Sequence, residues 1–277
     1  MGMSGCDRIL AAPRTGGALV SVYWVGPMSV NGIERISFLG APFDLETKEH
    51  ALGRLAQRRA SDAFAYVVTP NVDHIARLAR MPHLLAVYEG AWMSWCDSHP
   101  VRRLARIAGH DLAHMNGTDV MMRIFAEVLK PGDRLAVVGA SEGLVAALIR
   151  HFPQFDFVTH VPPLGFAASP ATFAMAADFG VASGARFTFI GVGSPQSEQL
   201  AAAMAARPCA RGTALCIGAA LEFISGQKVR APQWVQNLGC EWVFRLVSEP
   251  RRLWRRYLGG VVPLAVLFWR EMRSRRG

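Results

Sequence analysis

Leu135-Ala136-Val137-Val138-Gly139-Ala140-Ser141-Glu142-Gly143 sets a four-residue apolar run directly against two glycines and small polar residues, with an alanine-rich stretch behind them. An apolar run this short, bounded by turn residues and followed by a longer periodic segment, predicts a buried strand that turns into a helix. The unit recurs. Phe64 to Thr69 is β-rich, is broken by Pro70, and leads through Asn71-Val72-Asp73 into a helical pattern. Residues 187–190 are followed by Gly191-Val192-Gly193-Ser194-Pro195 and a helix to about residue 206, and residues 214–217 by Gly218-Ala219-Ala220 and a segment to 226. Upstream, residues 36–48 read as a short strand and turn feeding a helix over about 48–59. Apolar strands separated by helices of this length predict an α/β fold, a parallel sheet covered on both faces. Small residues where strands end let a ligand approach the backbone, and the N–H groups and dipole of the following helix favour phosphate. A composition shift near 234–241 divides the chain into an N-terminal extension (1–35), a core (36–240) and a C-terminal appendage (241–277).

With 51% hydrophobic and 18% charged residues, the chain can bury a sizeable core, which excludes a disordered protein. No apolar run reaches the roughly 18–20 residues needed to cross a bilayer; the longest candidate, 259–269, is short and contains Pro263. Residues 1–17 lack the apolar segment of a secretory signal. The five cysteines are odd in number and form no Cys-x-x-Cys pair, so a disulfide framework or zinc cluster is not expected and a reducing cytoplasm fits.

Charge is concentrated at the end of the chain. Residues 245–277 hold nine arginines and two acids, a net +7 out of +9 overall. On a helix, Arg251, Arg252, Arg255 and Arg256 fall on one arc of roughly 140°, with Leu253, Trp254, Tyr257 and Leu258 opposite. A basic face against an aromatic-aliphatic face suits a helix lying on an anionic membrane. Because the charge sits in a tail among Trp254, Leu264, Leu267 and Trp269 rather than along a groove, a membrane surface is the expected partner and nucleic acid is not. A terminal helix packing its apolar face on its own domain is the plainer alternative.

The glycines complete no known phosphate loop. No Gly-Lys-Ser/Thr follows any of them, and Gly139-x-x-x-Gly143 and Gly191-x-Gly193 are partial dinucleotide fingerprints, which leaves a nicotinamide-dependent oxidoreductase poorly supported. His110 and His114, at i and i+4, could face one metal, but the first has no adjacent Glu and no third ligand is evident, so capping or ordinary polar contacts are the expectation. Asp97 lies in Trp95-Cys96-Asp97-Ser98-His99-Pro100, a break after an aromatic stretch. A carboxylate against aromatic surface can serve as a general base; taken locally, a helix cap ahead of Pro100 is the favoured reading.

Taken in order, these segments resemble the WecG/TagA/CpsF family of bacterial glycosyltransferases over residues 36–258. The resemblance is carried by Phe38-Leu-Gly-Ala-Pro-Phe-Asp44, Val68-Thr-Pro-Asn-Val-Asp-His74, Cys96-Asp-Ser98, Arg106-Ile-Ala-Gly-His-Asp-Leu112, Val137-Val-Gly139 and Gly191-Val-Gly-Ser-Pro-Gln-Ser-Glu198. It continues through Gly226-Gln-Lys-Val-Arg-Ala-Pro-Gln-Trp234, Leu238-Gly-Cys-Glu-Trp-Val-Phe-Arg245 and Glu249-Pro-Arg-Arg-Leu-Trp-Arg-Arg-Tyr-Leu258. It implies a Rossmann-like core with a basic helical C-terminal membrane appendage. The implied reaction is an inverting transfer, independent of metal or other cofactor, from a UDP-sugar to a polyprenyl-diphosphate-linked saccharide. The implied place is the cytoplasmic face of the membrane, peripherally attached, in cell-surface glycan assembly.

The resemblance also implies roles. Asp97 matches the catalytic aspartate, which overrides the local preference for a cap. Thr69, Asn71, Arg106 and Asp111 match donor-site motifs. Gly139, Gly193 and Ser194 are expected to meet the diphosphate through backbone N–H groups, with Arg106 as the cation, and Gln196 and Glu198 to contact uridine or ribose. Arg245, Arg252 and Arg255 match the appendage arginines, expected to bind the acceptor diphosphate. Arg251, Arg256, the 270–276 cluster and residues 264–269 are expected to meet lipid. Ser98 stands where the family often has Gly, Ser197 where Gln is usual, and Glu222 where Asp is common. UDP-glucose, UDP-glucuronate, UDP-ManNAc and UDP-ManNAcA all remain open as donors. A non-catalytic membrane-surface adaptor that senses a nucleotide sugar is the alternative from another functional class.

Overall fold

The computed structural model describes residues 28–30, 32–218, 220–227 and 250–275, with the side chains of 28, 29, 250–259 and 261 outside the description. Six strands form the parallel sheet: β4 (Ala65–Val68), β5 (Met93–Ser94), β6 (Arg134–Val138), β7 (Asp156–His160), β8 (Phe187–Ile190) and β9 (Thr213–Cys216). Their order is β5-β4-β9-β8-β6-β7, every neighbouring pair parallel. The apolar runs read from the sequence are the central strands. Every residue of β4, β8 and β9 is buried, as expected of strands covered on both faces. The sequence reading did not single out β5, of two residues, or β7, an edge strand whose residues are half-buried or exposed.

Helices cover both faces. On one lie α2 (Val72–Arg80), α3 (Leu85–Glu89), α4 (His99–Ile107), α7 (Pro170–Ala182) and α8 (Gln196–Ala205), contributing Ile75, Leu78, Tyr88, Val101, Ala105, Ala176, Ala177, Leu200 and Met204 to one core. On the other lie α1 (Lys48–Gln57), α5 (Gly117–Arg123) with a π-helical continuation (Ile124–Val128), α6 (Glu142–His151) and α9 (Ala220–Ile224). Thr47, Asn71, Ser98, Asn116 and Ser141 each cap the helix that follows with a side-chain oxygen, satisfying N–H groups that have no partner inside the helix.

The first strand–turn–helix unit departs from expectation. Residues 33–44 form an antiparallel hairpin, β2 (Ile33–Phe38) and β3 (Ala41–Asp44), joined with β1 (Met28–Val30) in a separate three-stranded sheet. Leu39 (φ 55°) and Gly40 (φ 76°) make the two-residue turn, and positive φ at both positions matches the twist of a hairpin. The hairpin is fastened to the main sheet by a buried pair. Arg35 Nε meets Asp44 Oδ1 at 2.5 Å, Arg35 Nη1 donates to the Ala91 carbonyl at 2.7 Å, and Asp44 Oδ2 accepts from Ser94 N at 2.8 Å. Burial pushes the Asp44 carboxyl above its ordinary range against the pull of Arg35.

The C-terminal helix α10 (Pro250–Ser274) packs along α2. Gly260 lies so close to Val72 that an added Cβ would stand 2.9 Å from Val72 Cγ1. Leu264 is buried in the core of that face, with Leu267 and Phe268 packed against it. Past the helix end, Arg275 donates to the Ala108 carbonyl at 2.7 Å and lies 2.6 Å from His110 Nε2. The expected bilayer stretch 264–269 therefore splits: Leu264, Leu267 and Phe268 face the domain, while Val266 and Trp269 are 43% and 60% exposed, as is Val262 one turn ahead of them at 65%. Among the described residues no helix is long and apolar enough to cross a membrane.

Candidate active site

In a parallel sheet all strands end on the same side, and ligands settle where loops leave those carboxyl ends. Thr69-Pro70-Asn71, Asp97, Gly139, the 191–195 turn and Gly218 all follow strands on that edge. Asp97 stands at one end of that row, half-buried, three residues beyond the edge strand β5. Its N–H donates to the Pro70 carbonyl at 3.1 Å, and its Oδ1 accepts from Gly117 N, the first residue of α5, at 3.4 Å. A helix N-terminus is a favourable place for a carboxylate charge. Capping of α4 falls to Ser98, whose Oγ accepts from Val101 N at 3.3 Å. Asp97 therefore does not cap this helix, and the Ser found where the family often has Gly has a structural task.

The segment that leads to Gly117 was not anticipated. After α4 the chain turns back beside β5: Cys96 and His114 form a parallel bridge, and Met115 N donates to the Cys96 carbonyl at 2.9 Å. This brings His114, Asn116 and Gly117 next to Asp97. His114 stacks on His99 with ring centroids 3.6 Å apart. Burial, then the neighbouring charge of His99 and those of Lys48 and Arg102, push the His114 ring down to about 3, so it is neutral at physiological pH. The Cys96 thiol is pushed up to about 12, chiefly by burial, and is not poised as a nucleophile.

Arg106 and Asp111 are placed elsewhere. Arg106 is exposed in the last turn of α4, about 10 Å along the axis from His99 at 1.5 Å per residue. Asp111 is exposed just beyond the turn where Arg275 docks. The structure does not bring either to Asp97. The same Gly-x-Asp spacing recurs as Gly117-Thr118-Asp119, with His114 three residues ahead of the glycine, and that is the copy at the strand edge. The two histidines are likewise parted, His110 against Arg275 and His114 on His99.

The remaining positions divide by what already occupies them. Thr69 Oγ1 donates to the Cys216 carbonyl at 3.4 Å. Asn71 caps α2, its Oδ1 accepting from Asp73 N at 3.0 Å and His74 N at 3.4 Å. The Gly139 N–H is taken by the His160 carbonyl at 2.9 Å. Its φ of 89° and the 2.3 Å that would separate a Cβ from Val192 Cγ1 explain the glycine by close packing of two strand-end turns, rather than by a diphosphate contact. Gly193 (φ 86°) has open space where a side chain would stand. Ser194 Oγ accepts from Arg77 Nη1 at 2.6 Å. Gln196, half-buried, opens α8. Ser197 is buried under that turn, its Oγ 3.5 Å from the Ile190 carbonyl.

Glu198 does not face the crevice. It is 3% exposed, with Oε1 3.3 Å from His74 Nε2. Burial pushes its carboxyl up, but hydrogen bonds from His74, its own N–H and Ser194 outweigh that and hold it below 4.5. Arg245 lies outside the described residues, as do the side chains of Arg252 and Arg255. A cleft of about 900 Å³ opens on the opposite, amino edge of the sheet, lined by Arg58, Arg59, Lys130, Arg134, Arg186 and neighbours. Arg186 there is spent on the carbonyls of Ala56, Arg58 and Val128 and on Asp133, a knot that ties helix and loop ends together.

Residues 36–277 match the family model described as Glycosyl transferase WecG/TagA/CpsF family. The chain belongs to that family. It is a glycosyltransferase, and membership implies a nucleotide-sugar donor and a saccharide acceptor.

Proposed function

We propose that the enzyme transfers a sugar, with inversion and without a metal, from a UDP-sugar to a polyprenyl-diphosphate-linked saccharide. The observation that carries this is the setting of Asp97. It stands among the strand carboxyl ends, held by Pro70 and Gly117, and does not cap α4. The acceptor hydroxyl oxygen attacks the anomeric carbon as the bond from that carbon to the UDP oxygen breaks. UDP leaves with the electron pair, and the hydroxyl proton passes to Asp97. One displacement inverts the configuration. The charge gathering on UDP is met by the 193–195 turn at the start of α8, and the acceptor diphosphate by Arg245, Arg252 and Arg255.

The outer side of α10 supports work at an anionic membrane on the cytoplasmic face. Val262, Val266 and Trp269 recur at i, i+4 and i+7, and Arg273 lies 5.3 Å from the Trp269 ring centre. An apolar stripe rimmed by arginine suits shallow insertion among headgroups, while the inner side of the helix keeps it seated on the domain. The test is a panel of UDP-sugars with a short-chain polyprenyl-diphosphate sugar, following UDP release and the anomeric configuration of the product. One donor should turn over, with inversion; retention of configuration, or no transfer from any UDP-sugar, would refute the proposal.

A further inference from the structure

The turns that follow β4 and β8 stand on either side of β9. Two side chains of α2 cross that gap. The Asn71 N–H donates to His74 Nδ1 at 3.1 Å, so this nitrogen carries no proton and the ring's N–H is Nε2, which lies 3.3 Å from Glu198 Oε1. Three residues on, Arg77 Nη1 reaches Ser194 Oγ at 2.6 Å. His74 and Glu198 are 9% and 3% exposed, so Glu198 Oε1 and the His74 ring face each other away from water, while Glu198 Oε2 has no hydrogen-bond partner among the described residues.

The bridges run from α2, the helix behind the β4 turn, to Ser194 in the β8 turn and to Glu198 in α8, the helix behind it. α2 starts directly behind Pro70, whose carbonyl holds the Asp97 N–H, and Asn71, which caps it. α8 starts directly behind Gly193-Ser194-Pro195, and Ser197 N donates to the Gly193 carbonyl at 2.8 Å. Tyr88, buried in α3, packs against this network, its ring meeting the His74 ring edge-on with centroids 6.1 Å apart. Apolar residues of similar volume could fill the same space without the desolvation that charged groups suffer. What directed bonds add is a fixed register between the two turns.

We propose that His74 and Arg77 are positioning residues that clamp the Gly193–Ser194 turn to the segment carrying Asp97, and so set the distance between the base and the leaving diphosphate. The proposal rests on the UDP-sugar reading above. A misplacement of about 1 Å at a reacting centre can cost about 10²-fold in rate, so loosening the clamp should act on turnover more than on binding.

The test uses the full chain, with the UDP-sugar and short-chain polyprenyl-diphosphate acceptor that wild type turns over fastest. His74→Asn keeps an acceptor near the Nδ1 position and loses the bridge; His74→Gln places an amide N–H near the Nε2 position and keeps it. His74→Asn should lower kcat by about ten- to hundredfold, leave the Kd for UDP within about threefold, and be largely rescued in His74→Gln. Arg77→Met and Ser194→Ala should each lower kcat, and the double variant should be no slower than the slower single, because both remove one contact. His74→Gln as slow as His74→Asn, additive losses at 77 and 194, or losses confined to UDP affinity would overturn the clamp. Absence of transfer by wild type from every donor would instead overturn the reaction on which the clamp depends.

Discussion

Acidification should unfasten this protein at the edge of its active site, through His114. The ring is packed between His99 and the bridge to Cys96, and Lys48 and Arg102 add positive charge around it, with Asp119 the opposing carboxylate. Its folded value lies near 3 against an ordinary 6.5. Between those values the unfolded chain takes up a proton that the folded chain refuses, so stability is full above pH 6.5 and is lost as pH falls. The loss grows toward about 1.4 kcal/mol per pH unit. From pH 7.5 to 4.5 the histidine alone should remove about 2–3 kcal/mol, a figure that changes little if the folded value is nearer 4. Urea unfolding of wild type and His114→Gln at pH 7.5, 6.5, 5.5 and 4.5 measures it. The wild-type curve should fall more steeply, the two proteins converging by that amount on the acid side. Parallel curves would refute the assignment of a buried, neutral His114.

Two further outcomes follow from single contacts. Gly139→Ala puts a Cβ at φ 89° where Val192 Cγ1 stands 2.3 Å away, so it should destabilise by about 1–3 kcal/mol in a chemical denaturation series. Replacing Val262, Val266 and Trp269 together by Ser should release the protein from phosphatidylglycerol vesicles in a sedimentation assay with little change in Tm. Leu264→Ser, on the inner side of the same helix, should instead lower Tm, because that residue is 7% exposed in the core.

The parallel sheet was legible because strands covered on both faces must be apolar throughout, and Leu135–Val138 or Phe187–Ile190 cannot be much else. The hairpin at 33–44 was misread as part of a βα unit, since Leu39-Gly40 looks locally like any turn. Only the pairing of Arg35 with Asp44 across it, and of both with the β5 region, shows a separate sheet. Asp97 was found through the order of motifs, against its own local appearance as a cap. Arg106 and Asp111 were assigned to the site by their match to the family's Arg-x-x-Gly-x-Asp segment, but the Gly-x-Asp spacing occurs twice in eleven residues. Choosing between the copies requires the bridge from Cys96 to His114, a long-range contact that local pattern does not encode. The tail shows the same limit: arginine and aromatic periodicity marked an amphipathic helix, but which side the domain would cover depended on Gly260 meeting Val72.

The central claim is that Asp97 accepts the acceptor proton, and UDP release by Asp97→Asn tests it most directly. Asparagine keeps the size of the side chain and an oxygen for the Gly117 N–H, but cannot take a proton. In the presence of UDP-sugar and lipid-linked acceptor, the variant should bind UDP with wild-type affinity and release UDP about 10²- to 10⁴-fold more slowly. UDP release at near-wild-type rate, with the acceptor glycosylated, would contradict the account.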